Sequence, residues 1–380
     1  MLAPREIALT TEWRPLSELA GIAAEWHALA RRAVEPNVFY EPAFALAAAP
    51  AVGADAGAVL VRAAEPSRLI GLFPCRIETR RYGVRLPLLA GWAHAYGPLG
   101  TPLVDAEALH PAVSAFLDHV ADDPKLPKLL RMPYQVEDGP VAMALTAAIA
   151  GRGGRMARFD RHERALLAPP KDHAAYLDAA LGPKRRKKLG RQRRKLDETG
   201  GTQFTVVGTP AETAEALRDF FVLEASGWKG AAGTAAAQSD AIRHFMESAV
   251  AGLAAQGQAR VARLLHGGRA IAAAVLLTSG RGSWFWKIAH DEDAGRASPG
   301  VQVTLDVSEA ILRDSDIAWC DSCAIAGHAM IDSIWRERRP LVELLCALEP
   351  RVDFAIACRL EALRRGTMAA ARKIREMMKR

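Results

Sequence analysis

Between residues 16 and 33 apolar side chains return every three to four positions, with Trp26 and Leu29 on one side, so an amphipathic helix is predicted there. Glu41-Pro42 opens a short helix through residue 46, because proline suits the first helical position. Apolar runs at 59–62 and 68–79 flank Glu65-Pro66-Ser67, whose turn chemistry predicts a β-hairpin. Residues 91–102 read as a loop rich in Gly, Pro, His and Tyr. A helix (106–120), a strand (128–132), a helix (140–150) and two short strands (155–159 and 164–167) complete an α/β or α+β pattern.

The scheme then repeats. A helix at 183–199 is followed by a strand (202–207) and helices at 210–226 and 240–255. Three strands (259–265, 270–277 and 283–288) are joined by His266-Gly267-Gly268 and Ser279-Gly280-Arg281-Gly282, which predicts an antiparallel meander. A helix (299–312), strands near 317–320 and 342–346 and a terminal basic helix from about 352 close the chain. The expectation is two tandem domains, residues 1–170 and 171–380, divided near Ala168-Pro169-Pro170. Each is a mixed, largely antiparallel sheet flanked by helices.

Composition changes this picture little, since 50% hydrophobic and 24% charged residues in 380 are ordinary for a soluble globular chain. The first residues lack a basic flank followed by an apolar core, and no apolar run approaches the roughly 20 residues of a membrane span, so a cytoplasmic protein is expected. Cys75, Cys320, Cys323, Cys346 and Cys358 read as free thiols. Charge does change it. Of the net +7, nine positive charges (Lys184, Arg185, Arg186, Lys187, Lys188, Arg191, Arg193, Arg194 and Lys195) lie on one predicted helix, and without them the balance is −2. Leu189 and Leu196 give that helix a narrow docking seam, and the rest of its surface is basic.

Candidate chemistry gathers between Gly280 and Gly300. An aromatic strand is followed by His290-Asp291-Glu292, and then Ser298-Pro299-Gly300 opens a helix whose first N–H groups attract anions. Period-two alternation puts Trp284 and Trp286 on one face and Phe285 on the other, for core packing or for a sugar or acyl pocket. Trp228-Lys229-Gly230 with Gly233-Thr234 is too polar and flexible for a core and reads as a substrate contact. Cys320-Asp321-Ser322-Cys323 has the spacing of half a zinc site, but the second ligand pair is missing, so no metal is expected. Gly151-Arg152-Gly153-Gly154 ends a helix and leads into a strand, the reverse of a dinucleotide fingerprint.

These segments in order carry a resemblance: the basic helix from Lys184, Leu223-Glu224 with Trp228-Lys229-Gly230 and Gly233-Thr234-Ala235, Lys287 through Glu292, Ser298-Pro299-Gly300, and His328-Ala329-Met330-Ile331-Asp332 before Trp335. The chain resembles GNAT-fold acyltransferases of the cellulose- or exopolysaccharide-associated, CelD-like type, relatives of the Fem aminoacyltransferases. The resemblance implies two tandem GNAT-like domains, the second better preserved, and transfer of an acyl group from acyl-CoA to an amine on a small metabolite, sugar, peptide or cell-envelope precursor. Lys287, Arg296, Ser298, Gly300 and Val301 are then the expected donor-binding residues. Aminolysis of a thioester needs a proton acceptor and oxyanion donors but no covalent nucleophile. Glu224, Asp291 and His328 are candidate acceptors, although Glu224 also reads as an ion-pair partner of Lys229, Asp291 as turn chemistry, and His290 and His328 as loop histidines. Trp228, Lys229, Trp286, His290 and Tyr96 are expected to touch substrate, with Tyr96 supplied by the 91–100 loop of the first half beside Trp92 and His94. One departure opens other readings: GNAT enzymes bind the CoA pyrophosphate with an Arg/Gln-x-x-Gly-x-Gly/Ala loop, whereas Arg296 here precedes Ala297-Ser298-Pro299-Gly300 with a single glycine. Aminoacyl-tRNA held by the basic helix is the alternative donor, and a non-catalytic nucleic-acid-binding or scaffold protein is the alternative class.

Overall fold

The computed structural model describes residues 8–81, 83–168 and 173–378. The N-terminal segment 1–7 and the expected division at Pro169-Pro170 lie outside the described residues. Thirteen strands form one sheet: β1 (Leu9–Pro15), β2 (Gly57–Ala64), β3 (Ser67–Arg81), β4 (Val84–Gly91), β5 (Leu103–Val104), β6 (Leu129–Val136), β7 (Arg155–Leu167), β8 (Thr202–Val207), β9 (Ala259–His266), β10 (Arg269–Ser279), β11 (Gly282–His290), β12 (Trp319–Asp321) and β13 (Glu337–Ala347). The helices are α1 (Ala23–Arg32), α2 (Pro42–Val52), α3 (Leu109–Asp122), α4 (Pro140–Gly151), α5 (His173–Gly200), α6 (Pro210–Ser226), α7 (Trp228–Ala231), α8 (Asp240–Ala254), α9 (Pro299–Arg313), α10 (Ala329–Asp332) and α11 (Val352–Met378). Among the described residues none is long and apolar enough to cross a membrane.

The strand order β1-β2-β3-β4-β6-β13-β7-β12-β11-β10-β9-β8, with β5 beside β3, contains an internal repeat. In each half an antiparallel meander is followed by a helix and a strand parallel to the last of the meander: β4, α3 and β6, then β11, α9 and β12. The α/β class and the two GNAT-like units read from the sequence are both present. The last strand of each half is exchanged, because β13 lies between β6 and β7, and β7 lies between β13 and β12.

Several boundaries differ from the sequence reading. β1 and β4 were not expected, since β1 sits at the sheet edge with charged residues in its alternation and β4 contains Pro87, a residue that depletes strand signals. The two short strands expected at 155–167 are one strand, β7, in which the register against β13 slips around Asp160 and lets the chain bend. Residues 16–33 divide into a 3-10 turn over Leu16–Ile22 and α1. The basic helix starts at Pro183 as expected, because α5 breaks at Gly182, whose φ of 70° suits glycine.

Burial fixes what faces the site. Trp284 and Trp286 pack with Phe39, Phe44 and Phe245 beneath α2, α6 and α8, while Phe285 packs on Trp335 with α9 on the opposite face, as the alternation predicts. A capping box between Thr209 and Glu212 starts α6, worth about 1 kcal/mol, and the helix delivers Glu224 at its far end.

Candidate active site

β11 and β12 run side by side for three residues only, Gly282 with Trp319, Ser283 with Cys320 and Trp284 with Asp321. There the chain turns away, because the buried Asp321 carboxylate accepts the Cys323 N–H at 2.8 Å and Cys323 takes a φ of 53°. β11 continues to His290 with β10 on one side and no described strand on the other, so backbone groups of that edge remain open. A cavity of about 220 Å³ opens beside it, lined by Leu223, Glu224, Gly227, Trp228, Lys229, Ile288, Ala289, His290, Glu292, His328 and Met330.

Within it Glu224 is nearly fully buried and doubly engaged. One oxygen accepts from Lys229 Nζ at 2.6 Å and the other from the Ala236 N–H at 2.8 Å. The ion pair read from sequence therefore forms, inside the cavity. Glu292 accepts the Trp228 N–H at 2.9 Å, and the Trp228 ring is 64% exposed at the lip. His328 is exposed and precedes α10.

The 91–100 loop reaches this region from the first half. Trp286 Nε1 donates to the Tyr96 carbonyl at 2.6 Å, and Lys287 Nζ lies 4.3 Å from the Tyr96 ring centroid and 5.9 Å from that of Trp286. Burial and then the nearby Lys229 ammonium push the Lys287 amine down to about 8. His94 is pushed down to about 4, by burial first and then by Lys287 and Arg76. Burial, with a contribution from Glu224, raises the Tyr96 hydroxyl. Trp286 is 4% exposed in the aromatic core and is not among the cavity-lining residues.

At the far end of β11 the chain enters α9. Ser298 does not cap that helix through its side chain: it adopts a left-handed φ of 55°, and its hydroxyl instead lies 3.3 Å from Gln192 Nε2 of α5, which also donates to the Arg296 carbonyl at 2.6 Å. Gly300 is a close-approach position, since a Cβ there would stand 3.0 Å from His290 Nδ1. The Val301 side chain packs into the core and offers only its N–H. Arg296 lines a second cavity of about 280 Å³ between α5 and this loop, together with Lys195, His266 and Arg269. Asp291 faces away from the 220 Å³ cavity, held by Arg269 at 2.7 Å and by the Asp293 N–H at 3.0 Å, the turn role read from sequence.

Residues 183–327 match the family described as Acetyltransferase (GNAT) domain. That segment is similar to GNAT acetyltransferase domains. No curated protein matches the chain. Among solved structures it resembles the C-terminal domain (DUF2156) of a putative lysylphosphatidylglycerol synthetase from Agrobacterium fabrum, at 14% identity over 90% of this chain and 96% of that one, with a TM-score of 0.56. FemX is similar at 11% identity over 85% of this chain and 95% of that one, with a TM-score of 0.55. A conserved protein of unknown function from Bacteroides thetaiotaomicron VPI-5482 matches at 12% identity over 90% and 100%, with a TM-score of 0.53. At these identities the likeness is one of fold.

Beside the 220 Å³ cavity the structure brings together residues that the sequence reading passed over. Arg164 of β7 and Arg339 of β13 both reach Asp321, at 3.3 and 3.1 Å, and hold its carboxyl below the usual range against the cost of burial. Arg164 also donates to the Pro98 carbonyl at 2.9 Å, which ties the 91–100 loop to the exchanged strands. Arg339 stacks on Trp319 at 3.7 Å. The sequence reading took the Cys-Asp-Ser-Cys run for its thiols and not for the Asp321 turn, and the arginines belong to strands that meet it by exchange. Burial raises both thiols of that run, Cys320 up to about 12 and Cys323 well up, which leaves them unreactive.

Proposed function

We propose that the GNAT domain transfers an acyl group from acyl-CoA to an amine. The observation that supports this most is the open edge of β11, which runs past the cavity toward the N-terminus of α9. An extended donor with amide groups along its arm adds to such an edge as a strand does. Its phosphates then meet the first N–H groups of α9 at Gly300 and Val301, with Arg296 near. Ser298 contributes backbone rather than a cap, and His290 packs on Gly300 to shape the approach.

In the reaction the acceptor nitrogen attacks the thioester carbonyl, the new C–N bond forms, the C–S bond breaks and CoA leaves as the thiol. One proton leaves the amine for a side chain of the cavity, which then returns it to the departing thiolate sulfur. Glu224 and His328 line the cavity and are the proposed acceptors, with Lys229 holding Glu224 in place. Asp291 is proposed to shape the loop, not to take the proton. Trp228 closes the lip over the substrate. The acceptor is an amine on a small molecule, glycan or peptide.

Aminoacyl-tRNA as donor is a second reading, favoured by one feature: Lys184, Lys187, Lys188, Arg191, Arg194 and Lys195 are exposed along α5, which Gln192 fastens to the α9 entrance. Thermal unfolding with acetyl-CoA, longer acyl-CoAs and free CoA, at low and high salt, separates the two. A ligand at about 100 times its Kd stabilises by roughly 2.7 kcal/mol, a shift of a few degrees. No shift with any CoA, together with salt-sensitive binding of charged tRNA, replaces the first reading with the second.

A further inference from the structure

Where the 91–100 loop meets β11, the Tyr96 ring lies over Lys287 Nζ at 4.3 Å. Lys229 is answered by Glu224 at 2.6 Å, and Arg164 and Arg339 both reach Asp321, with Glu35 also acting on Arg339. Lys287 has no carboxylate within 4.0 Å among the described residues. Arg164 is 2% exposed, and its Nε lacks a hydrogen-bond partner. Burial first, and then the neighbouring cations, lowers the basicity of both Lys287 and His94. An ammonium withdrawn from water without a counter-ion is costly, and the Tyr96 and Trp286 rings offset only part of that cost. A bound oxyanion would supply the missing charge.

Building on the acyl-transfer reading, we propose that the acceptor amine carries an oxyanion, carboxylate or phosphate, that pairs with Lys287 Nζ beside the Tyr96 ring. Lys287 directly precedes Ile288, Ala289 and His290, which line the cavity, so a molecule anchored on its ammonium points its amine toward Glu224 and Lys229. The first half supplies the ring that holds the lysine, and the GNAT domain supplies the lysine and the cavity. Lys287 is an acceptor-binding and specificity residue in this arrangement. The carboxylates that the sequence reading placed nearby are already engaged, Glu224 by Lys229 and Asp291 by Arg269.

Calorimetric titration of the full chain with 4-aminobutyrate and O-phosphoethanolamine, against their uncharged counterparts 4-aminobutanamide and ethanolamine, tests this in the presence and absence of CoA. The anionic amines are expected to bind about tenfold tighter or better, the range of a charge-assisted contact. Lys287→Met removes that preference and Lys287→Arg keeps part of it. The better of the two anions names the source. Equal affinity for charged and uncharged amines, no binding of any of the four, or a preference that survives Lys287→Met overturns the proposal. Should Lys287→Met fail to fold, the wild-type comparison and its weakening with salt decide it. Acetyl-CoA binding is read separately by thermal unfolding, so loss of the donor reading with a retained anion preference leaves the anion site standing.

Discussion

Lys287 is an example of a residue whose type was legible and whose state was not. The sequence places a lysine near the end of an aromatic strand; the Tyr96 ring from the 91–100 loop and the charges of Glu224 on α6 and Lys229 on α7 then act on it, beside its neighbour Trp286. Its amine is held down to about 8 from 10.5, mainly by burial. Between those two values the unfolded chain keeps a proton that the folded chain has shed, so this group's contribution to stability rises with pH. Urea unfolding from pH 7 to 10 is therefore expected to show wild-type stability gaining on Lys287→Met as pH rises; a constant gap between the two would contradict the buried, unpaired amine. Glu224 shows the opposite case, a charge whose partners are complete. Glu224→Gln leaves Lys229 without its carboxylate, which is expected to cost about 1–3 kcal/mol in chemical denaturation and to lower acyl transfer. Full activity of that variant would leave His328 as the proton acceptor.

Elements of the second half follow the sequence closely, because each carries its own period and its own punctuation. The β9–β11 meander is set by two glycine turns, α6 by its capping box, and α9 by Ser298-Pro299 at its start. The Ser298 cap is the exception, since Gln192 of a distant helix competes for its hydroxyl. Gly300→Ala adds a methyl 3.0 Å from His290 Nδ1 at the α9 entrance. The folded state is expected to change by less than about 1 kcal/mol, as the gain in helix propensity offsets the crowding, while acyl-CoA affinity falls; unchanged affinity by titration would move the phosphates away from α9. The basic helix α5 is a separate question. Replacing exposed Lys187, Lys188 and Arg191 by alanine should leave stability within about 0.5 kcal/mol per site. With acyl-CoA as donor, binding weakens only modestly, whereas a steep fall in the salt dependence of tRNA binding would identify α5 as a backbone-phosphate surface.

At the scale of the molecule, the exchange of β7 and β13 ties the halves into one sheet. The pairing of β13 with β6 and β7 crosses the proposed division between 1–170 and 171–380. Residues 171–380 alone would leave β13 without β6 and β7, both its neighbours, and would expose a long apolar strand on two edges. That fragment is expected to aggregate on size-exclusion chromatography, and the full chain to unfold in a single transition; a monomeric, folded fragment would show that the exchanged pairing is dispensable. By itself the sequence determined the α/β class, the repeat, the cavity-bearing segments and the chemistry available in them, because periodicity, turn residues and residue type are local properties. Which strands became neighbours, that Tyr96 came to lie over Lys287, and that two arginines met one buried aspartate were decided only by the tertiary structure. Those contacts join residues up to 218 positions apart in the chain, and nothing in a local pattern encodes a pairing that long-range burial selects.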